Sequence, residues 1–230
     1  KQVLHGGVAL FAASDNVTRA EWAAYVAALH LGRSLPGIQG TGFTRMLPAA
    51  ALEAHVAEVR AEGFPDYRIS PPGERDPYSS IVYIEPFDAR NRRAFGFDMF
   101  AEPVRRDAMQ RARDTGEAAL SGKVTLVQEH GEDVQSGFLI YLPVYGKGMP
   151  TSSVEERRKA LLGFVYSPFR AQRMIQAIFG EVLRDLDIEL YDDRIAPDTL
   201  LYASSAGRLD ARHVIAHPVE AAGRRWVVRF

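Results

Sequence analysis

Two acidic residues stand where they could bind something, and neither has the company needed to react with it. Asp98 closes the aromatic run Phe95-Gly96-Phe97-Asp98-Met99-Phe100, and Glu85 ends the strand-like run Ile81–Glu85 just before Pro86. A carboxylate set among aromatic rings must find a partner or solvent, because burying it unpaired is expensive. Asp98 therefore reads as a hydrogen-bond acceptor for a ligand, or as a helix N-cap, or as the ion-pair partner of an arginine such as Arg93 or Arg113. Catalytic alternatives lack support. Ser204 and Ser205 precede Ala206-Gly207 as turn residues with no base or orienting acid nominated beside them. Asp192-Asp193 reads as a loop before Pro197. Of the six histidines only His213 and His217 are four apart, in a β-like stretch where they would stand ~13 Å from each other. No metal site and no cofactor is expected. The region from Tyr83 to Tyr145 reads as a pocket that binds.

The elements that must hold those residues follow from periodicity and punctuation. Thr18 and Glu21 form a capping box ahead of Trp22, Tyr25, Val26 and Leu29 at helical spacing, and Gly32 and Pro36-Gly37 end that region. Residues 1–32 are one long or twice-broken helix, read as a stalk, with Leu4, Val8 and Phe11 as its apolar stripe. Gly37–Phe43 is expected as a short strand, followed by a helix started at Pro48 and ended at Gly63. Strands are expected at Asp66–Ser70 and Ser80–Glu85. A helix opens at Glu102-Pro103, turns Val104, Ala108 and Ala112 inward, and ends at Gly116 in the left-handed cap position. Lys123–Gln128 and Gly137–Tyr145 pair as antiparallel strands. Along the latter, Phe138, Ile140 and Leu142 share one face, Leu139 and Tyr141 the other. The sequence leaves open which face lines a pocket.

After a Gly-, Pro- and Ser-containing linker at 146–156 the pattern of strand, helix and antiparallel strands returns. Leu161–Tyr166 is the strand, Ser167-Pro168 caps the helix, and strands follow at Ile188–Tyr191, Leu200–Ala203, Val214–Val219 and Trp226–Phe230. The fold class is α+β: an N-terminal helix (1–34), a first PAS-like unit (35–150) and a smaller second one (151–230). A net charge of −1 over 230 residues offers no field for nucleic acid. The absence of cysteine removes thiolate chemistry.

The order Asn91…Gly96-Phe97-Asp98…Ala112-Arg113-Asp114-Thr115-Gly116…Leu126…Gln128…Gly137-Phe138…Pro143-Val144-Tyr145 resembles the CHASE domain. Tyr25-Val26, Pro36-Gly37-Ile38-Gln39, Gly163-Phe164-Val165-Tyr166 and Gly223-Arg224-Arg225-Trp226 extend the resemblance over nearly the whole chain. It implies the extracytoplasmic sensory domain of a receptor histidine kinase or nucleotide cyclase, set between two membrane helices that lie outside this sequence. It also implies a membrane-distal unit that binds a small molecule, a membrane-proximal unit that relays it, and a homodimer through the N-terminal helices. Plant members of the family bind N6-substituted adenines. Glu85 falls near their acidic adenine anchor and Tyr141 matches one of their pocket positions. Tyr83, Glu85, Phe97, Asp98, Leu126, Ile140 and Tyr141 are accordingly the expected ligand contacts. The alternatives are a protein-interaction domain that takes no small molecule, and a small α+β enzyme.

Overall fold

The computed structural model describes residues 1–34, 37–129, 135–180, 187–204 and 214–230. Pro36, His130, Ser205–Gly207 and His213, all used in the sequence reading, lie outside them. The N-terminal region is a twice-broken helix: α1 (Gln2–Ala13), α2 (Arg19–Ala28) and the short α3 (Leu31–Ser34). The break before α2 follows from the capping box. The Thr18 hydroxyl accepts from the Glu21 amide at 3.2 Å, and the Glu21 carboxylate accepts from the Thr18 amide at 2.7 Å. After α2 the chain turns at His30, which adopts φ 47°.

One antiparallel sheet dominates the molecule. Its strands are β1 (Thr41–Leu47), β2 (Tyr78–Glu85), β3 (Ala119–Leu120), β4 (Val124–Thr125), β5 (Ser136–Tyr145) and β6 (Leu161–Arg170). Their order is β2-β1-β6-β5-β3, with β4 also on β5. Two helices, α4 (Leu52–Ala61) and α5 (Pro103–Thr115), lie between strands in sequence, and α6 (Val154–Ala160) leads into β6. Glu102 caps α5 by accepting from the Val104 and Arg105 amides, and Gly116 closes it at φ 79°, the left-handed cap expected there.

The strand at 161–170 corrects the sequence reading. Assigned there to the second unit, it sits at the centre of the first sheet, paired with β1 on one side and β5 on the other. Its composition fits that position, because Phe164, Val165 and Tyr166 alternate between the two faces and none of them is exposed. The strand also runs through Ser167-Pro168, where a helix cap was expected. Pro168 falls beyond the end of β1, where its missing amide breaks no ladder. The expected strand at Asp66–Ser70 is reduced to a single bridge from Ser70 to Phe97.

The two faces of the sheet bury different things. Against one face lie α1 and α2: Leu4, Trp22 and Val26 pack with Phe43, Val82, Phe138, Ile140, Leu142 and Val165. Contact is close enough that a side chain at Gly7 would press on Val165 and Trp22 at 3.0–3.2 Å. Leu4 and Phe11 of the expected stalk stripe are therefore turned onto their own sheet. Against the other face lies α5, whose Ala108, Met109 and Ala112 cover Leu139, Tyr141, Phe164 and Tyr166.

A second antiparallel sheet follows α7 (Ala171–Phe179). It orders β7 (Glu189–Asp192), β8 (Leu200–Ala203), β9 (Ala216–Ala221) and β10 (Arg224–Arg229) as β8-β7-β10-β9. The architecture is α+β with two PAS-like units. Specific polar contacts join them. The Lys123 amide donates to Asp192 Oδ2 at 2.8 Å, Arg111 donates to the Gly223 carbonyl at 3.0 Å, and the Leu120 amide donates to the Ala222 carbonyl at 3.0 Å.

Candidate ligand site

The α5 face of the first sheet carries a row of four residues in register across its central strands: Gly42, Tyr166, Tyr141 and Ala119. Gly42 and Ala119 are small, and the row has room for the two large rings between them only for that reason. A Cβ on Gly42 would stand 2.6 Å from the Tyr166 ring. Both tyrosines are fully buried, and their ring centroids are 6.2 Å apart. Neither hydroxyl has a hydrogen-bond partner among the described residues. Buried polar groups are nearly always satisfied, and here two phenols adjacent in one core depart from that rule together. Burial pushes both phenols above the ordinary tyrosine range, so each keeps its proton.

Arg105 of α5 supplies the charge at this site. It is buried, donates to the Thr125 carbonyl at 2.9 Å and to Glu102 at 3.3 Å, and lies over the Phe97 ring at 5.3 Å. Its positive charge works against the burial effect at both phenols. Leu126, Leu139, Met99, Met109, Ala108 and Ala112 complete an otherwise apolar surround.

The expected contacts divide between the two faces. Tyr141, Leu126 and Phe97 gather here. Asp98 lies beside them, but its carboxylate is engaged: Oδ2 accepts from Arg75 Nε at 2.7 Å, and Oδ1 accepts from the Ser79 and Phe100 amides at 2.8 and 3.0 Å. It is both N-cap and ion-pair partner, with Arg75 in place of Arg93 or Arg113. Tyr83 and Ile140 belong to the opposite face. Tyr83 stacks on Trp22 and donates to the Val17 carbonyl at 2.8 Å. Glu85 ends the outer strand β2, accepting from the Phe87 amide at 2.9 Å, and lines a 360 Å³ hollow with Val26, His30 and Leu31. Burial raises its pKa.

Sequence reasoning passed over Tyr166 and Arg105. Tyr166 was legible as an aromatic at alternating spacing, but with its strand assigned to the second unit it had no route to Tyr141. Replacing Tyr141 or Tyr166 by phenylalanine removes an unsatisfied hydroxyl without changing shape. Each variant is expected to melt about 2–4 °C higher than the parent in the absence of ligand, for a gain near 1 kcal/mol. A lower melting temperature would show that the hydroxyl is already bonded.

A second concavity, about 860 Å³, opens where the α1–α2 turn meets β1, β2 and α4. His55 on its wall is almost fully buried, with Nε2 at 2.9 Å from the Tyr67 hydroxyl. Desolvation first, then Arg45, lowers its pKa from 6.5 to about 4, against the opposing pull of Glu58 and Glu62. Between those values the unfolded chain binds the proton and the folded one does not, so stability falls as pH falls. From pH 7 to pH 5 the loss attributable to His55 is about 2 kcal/mol. Urea melts should show that loss, and His55→Gln should remove it; an equal loss in the variant would assign it elsewhere.

A PAS-like sheet lies between a helical N-terminal layer and α5, with two unpartnered phenols beneath α5. The family model of the CHASE domain matches residues 15–202, and the chain belongs to that family. It is a sensory domain of signalling receptors and not itself catalytic. The chain is also similar to "Hybrid signal transduction histidine kinase A" of Dictyostelium discoideum, at 29% identity over 154 residues, which cover 63% of this chain and 7% of that protein. The chain thus spans a small fraction of its relative's length. Among the described residues no helix is long and apolar enough to cross a membrane.

Proposed function

We propose that this is the extracytoplasmic, small-molecule-sensing domain of a membrane-bound receptor, with the ligand bound between the first sheet and α5. The observation that carries the reading is the pair of buried, unpartnered phenols of Tyr141 and Tyr166 under α5. In the present conformation they are sealed, so binding must select or create a state in which α5 stands further from the sheet. Ligand shifts that equilibrium only through its greater affinity for the open state. Displacement of α5 would pull on Arg111, which holds both the Gly223 carbonyl of the second unit and the Leu120 carbonyl. Motion would thereby reach the membrane-proximal sheet.

The output domain proposed is a histidine kinase, by analogy with the Dictyostelium relative, with a diguanylate cyclase as the alternative. Adenine-type molecules belong in a ligand panel by analogy with the plant members. A homodimer through the N-terminal helices would use the outer face of α1, at Gln2, His5, Ala9 and Ala12, since Leu4 and Phe11 are committed to the sheet. A second reading, a domain that recognises a protein partner, is favoured by the exposed Ile178, Ile215 and Val219 of the second unit.

A thermal-shift titration against a small-molecule panel that includes N6-substituted adenines tests the sensing function. A ligand at 100 times its dissociation constant stabilises by ~2.7 kcal/mol. The reading predicts a saturable rise that survives Glu85→Ala. No rise with the panel or with a small-molecule cell extract would favour the protein-partner reading.

A further inference from the structure

We infer that the ligand under α5 is a small carboxylate with an apolar body, its two oxygens taken by the Tyr141 and Tyr166 hydroxyls. The inference rests on the sensing function proposed above and concerns the chemistry of the same site. Its basis is the polar inventory of the core beneath α5. The groups there with capacity to spare are two protonated phenols on directly opposed residues of β5 and β6, each with an O–H to donate as well as an oxygen that accepts. The cation whose charge acts on both is Arg105.

The neighbouring carboxylates are already engaged. Asp98 is paired with Arg75 and accepts from two amides. Glu102 accepts from the Val104 and Arg105 amides and from the Arg105 side chain. Glu85 pairs with Thr41, whose hydroxyl meets that of Ser167 opposite Ile140, in a row that faces α1 and α2. An ammonium or amidine ligand would therefore bring its charge beside Arg105 with no anion free to receive it, and like charges in a low-dielectric core repel strongly. A carboxylate would take charge-assisted O–H···O bonds from both phenols, with Arg105, already paired with Glu102 at 3.3 Å, beside them.

The remaining walls are apolar, which sets the rest of the molecule. Leu126, Leu139, Met99 and the Phe97 ring suit a flat hydrocarbon or aromatic body. The lid is formed by Ala108, Met109 and Ala112; alanines leave space, and a methionine side chain reshapes at little expense.

The test uses matched pairs on one carbon skeleton. Benzoate, phenylacetate and indole-3-acetate are titrated into the domain beside benzylamine, phenethylamine and tryptamine, with melting temperature as the readout. The expected result is a saturable rise with at least one carboxylate and none with its amine. In the Tyr141→Phe/Tyr166→Phe double variant, which keeps the shape of the core, the apparent affinity should drop by about tenfold or more. Rises with amines alone, dependent on the two tyrosines, would overturn the carboxylate class and leave the sensing function standing. A carboxylate rise that the double variant does not change would overturn the assignment to this site. No rise with any carboxylate would overturn the inference too, while the sensing function would fall only if the adenine panel and the cell extract were also silent.

Discussion

Replacing Asp98 with alanine is expected to destabilise the domain by about 3 kcal/mol, lowering its melting temperature by roughly 6–12 °C. The carboxylate is completely buried and answers three donors. Alanine would leave the Ser79 and Phe100 amides without an acceptor inside the core and Arg75 without its counter-charge. Asparagine should recover part of the loss, because both amides are served by Oδ1 alone and a side-chain amide oxygen can replace it. Its NH2 group would face Arg75, so the ion-pair share stays lost. Melts of the three proteins, with a ligand titration on Asp98→Asn, separate structure from recognition. Intermediate stability with undiminished ligand affinity is expected. A stable Asp98→Ala protein that no longer binds would instead make Asp98 a ligand contact.

Trp22→Ala is expected to have an effect at least as large, about 3–5 kcal/mol. The indole is wholly buried and packs against Phe11, Tyr25 and Tyr83. Its removal opens a cavity between α2 and the sheet that the surrounding rings cannot close without leaving their rotamers. The consequence extends beyond stability, because Trp22 is what makes the N-terminal helices part of the sensor core. If α1 and α2 were a stalk merely preceding the sensor, the substitution would leave the melt of the sheet almost unchanged. Denaturant unfolding followed by tyrosine and tryptophan signals distinguishes the two.

What sequence made legible was local. The Thr18–Glu21 capping box, the Glu102–Gly116 limits of α5 and the alternation along Gly137–Tyr145 all depend on residues within a few positions of each other. Each appears in the structure with the expected partners. What sequence left hidden was long-range. The place of Leu161–Arg170 at the centre of the first sheet depends on pairing with Thr41–Leu47, more than a hundred residues earlier. Spacing in the chain carries no signal for that pairing. The same limit concealed Arg75 as the partner of Asp98, since the nearer Arg93 and Arg113 were the natural choices by distance along the chain. It also split the expected site: Ile140 and Tyr141 are neighbours in sequence and on opposite faces of the sheet. Only the identity of the helix covering each face decides which of them meets the lid.

The two faces of the sheet differ in which polar groups they bury. Beneath α1 and α2 the Thr41 and Ser167 hydroxyls lie 3.0 Å apart and Tyr83 reaches Val17, while Arg19 Nε and Trp226 Nε1 have no partner among the described residues. Beneath α5 two phenols have none. Proteins carry such local debits where binding requires them, and sites of this kind are where stabilising substitutions tend to reduce function.

The most direct test of a ligand site under α5 is fluorine NMR of the domain carrying 3-fluorotyrosine, with signals assigned by single Tyr→Phe variants. On adding the compound that raises the melting temperature, the Tyr141 and Tyr166 resonances should move together while Tyr83, on the opposite face, stays in place. Movement of Tyr83 with Tyr141 and Tyr166 unchanged would contradict the account and put the ligand beneath the N-terminal helices.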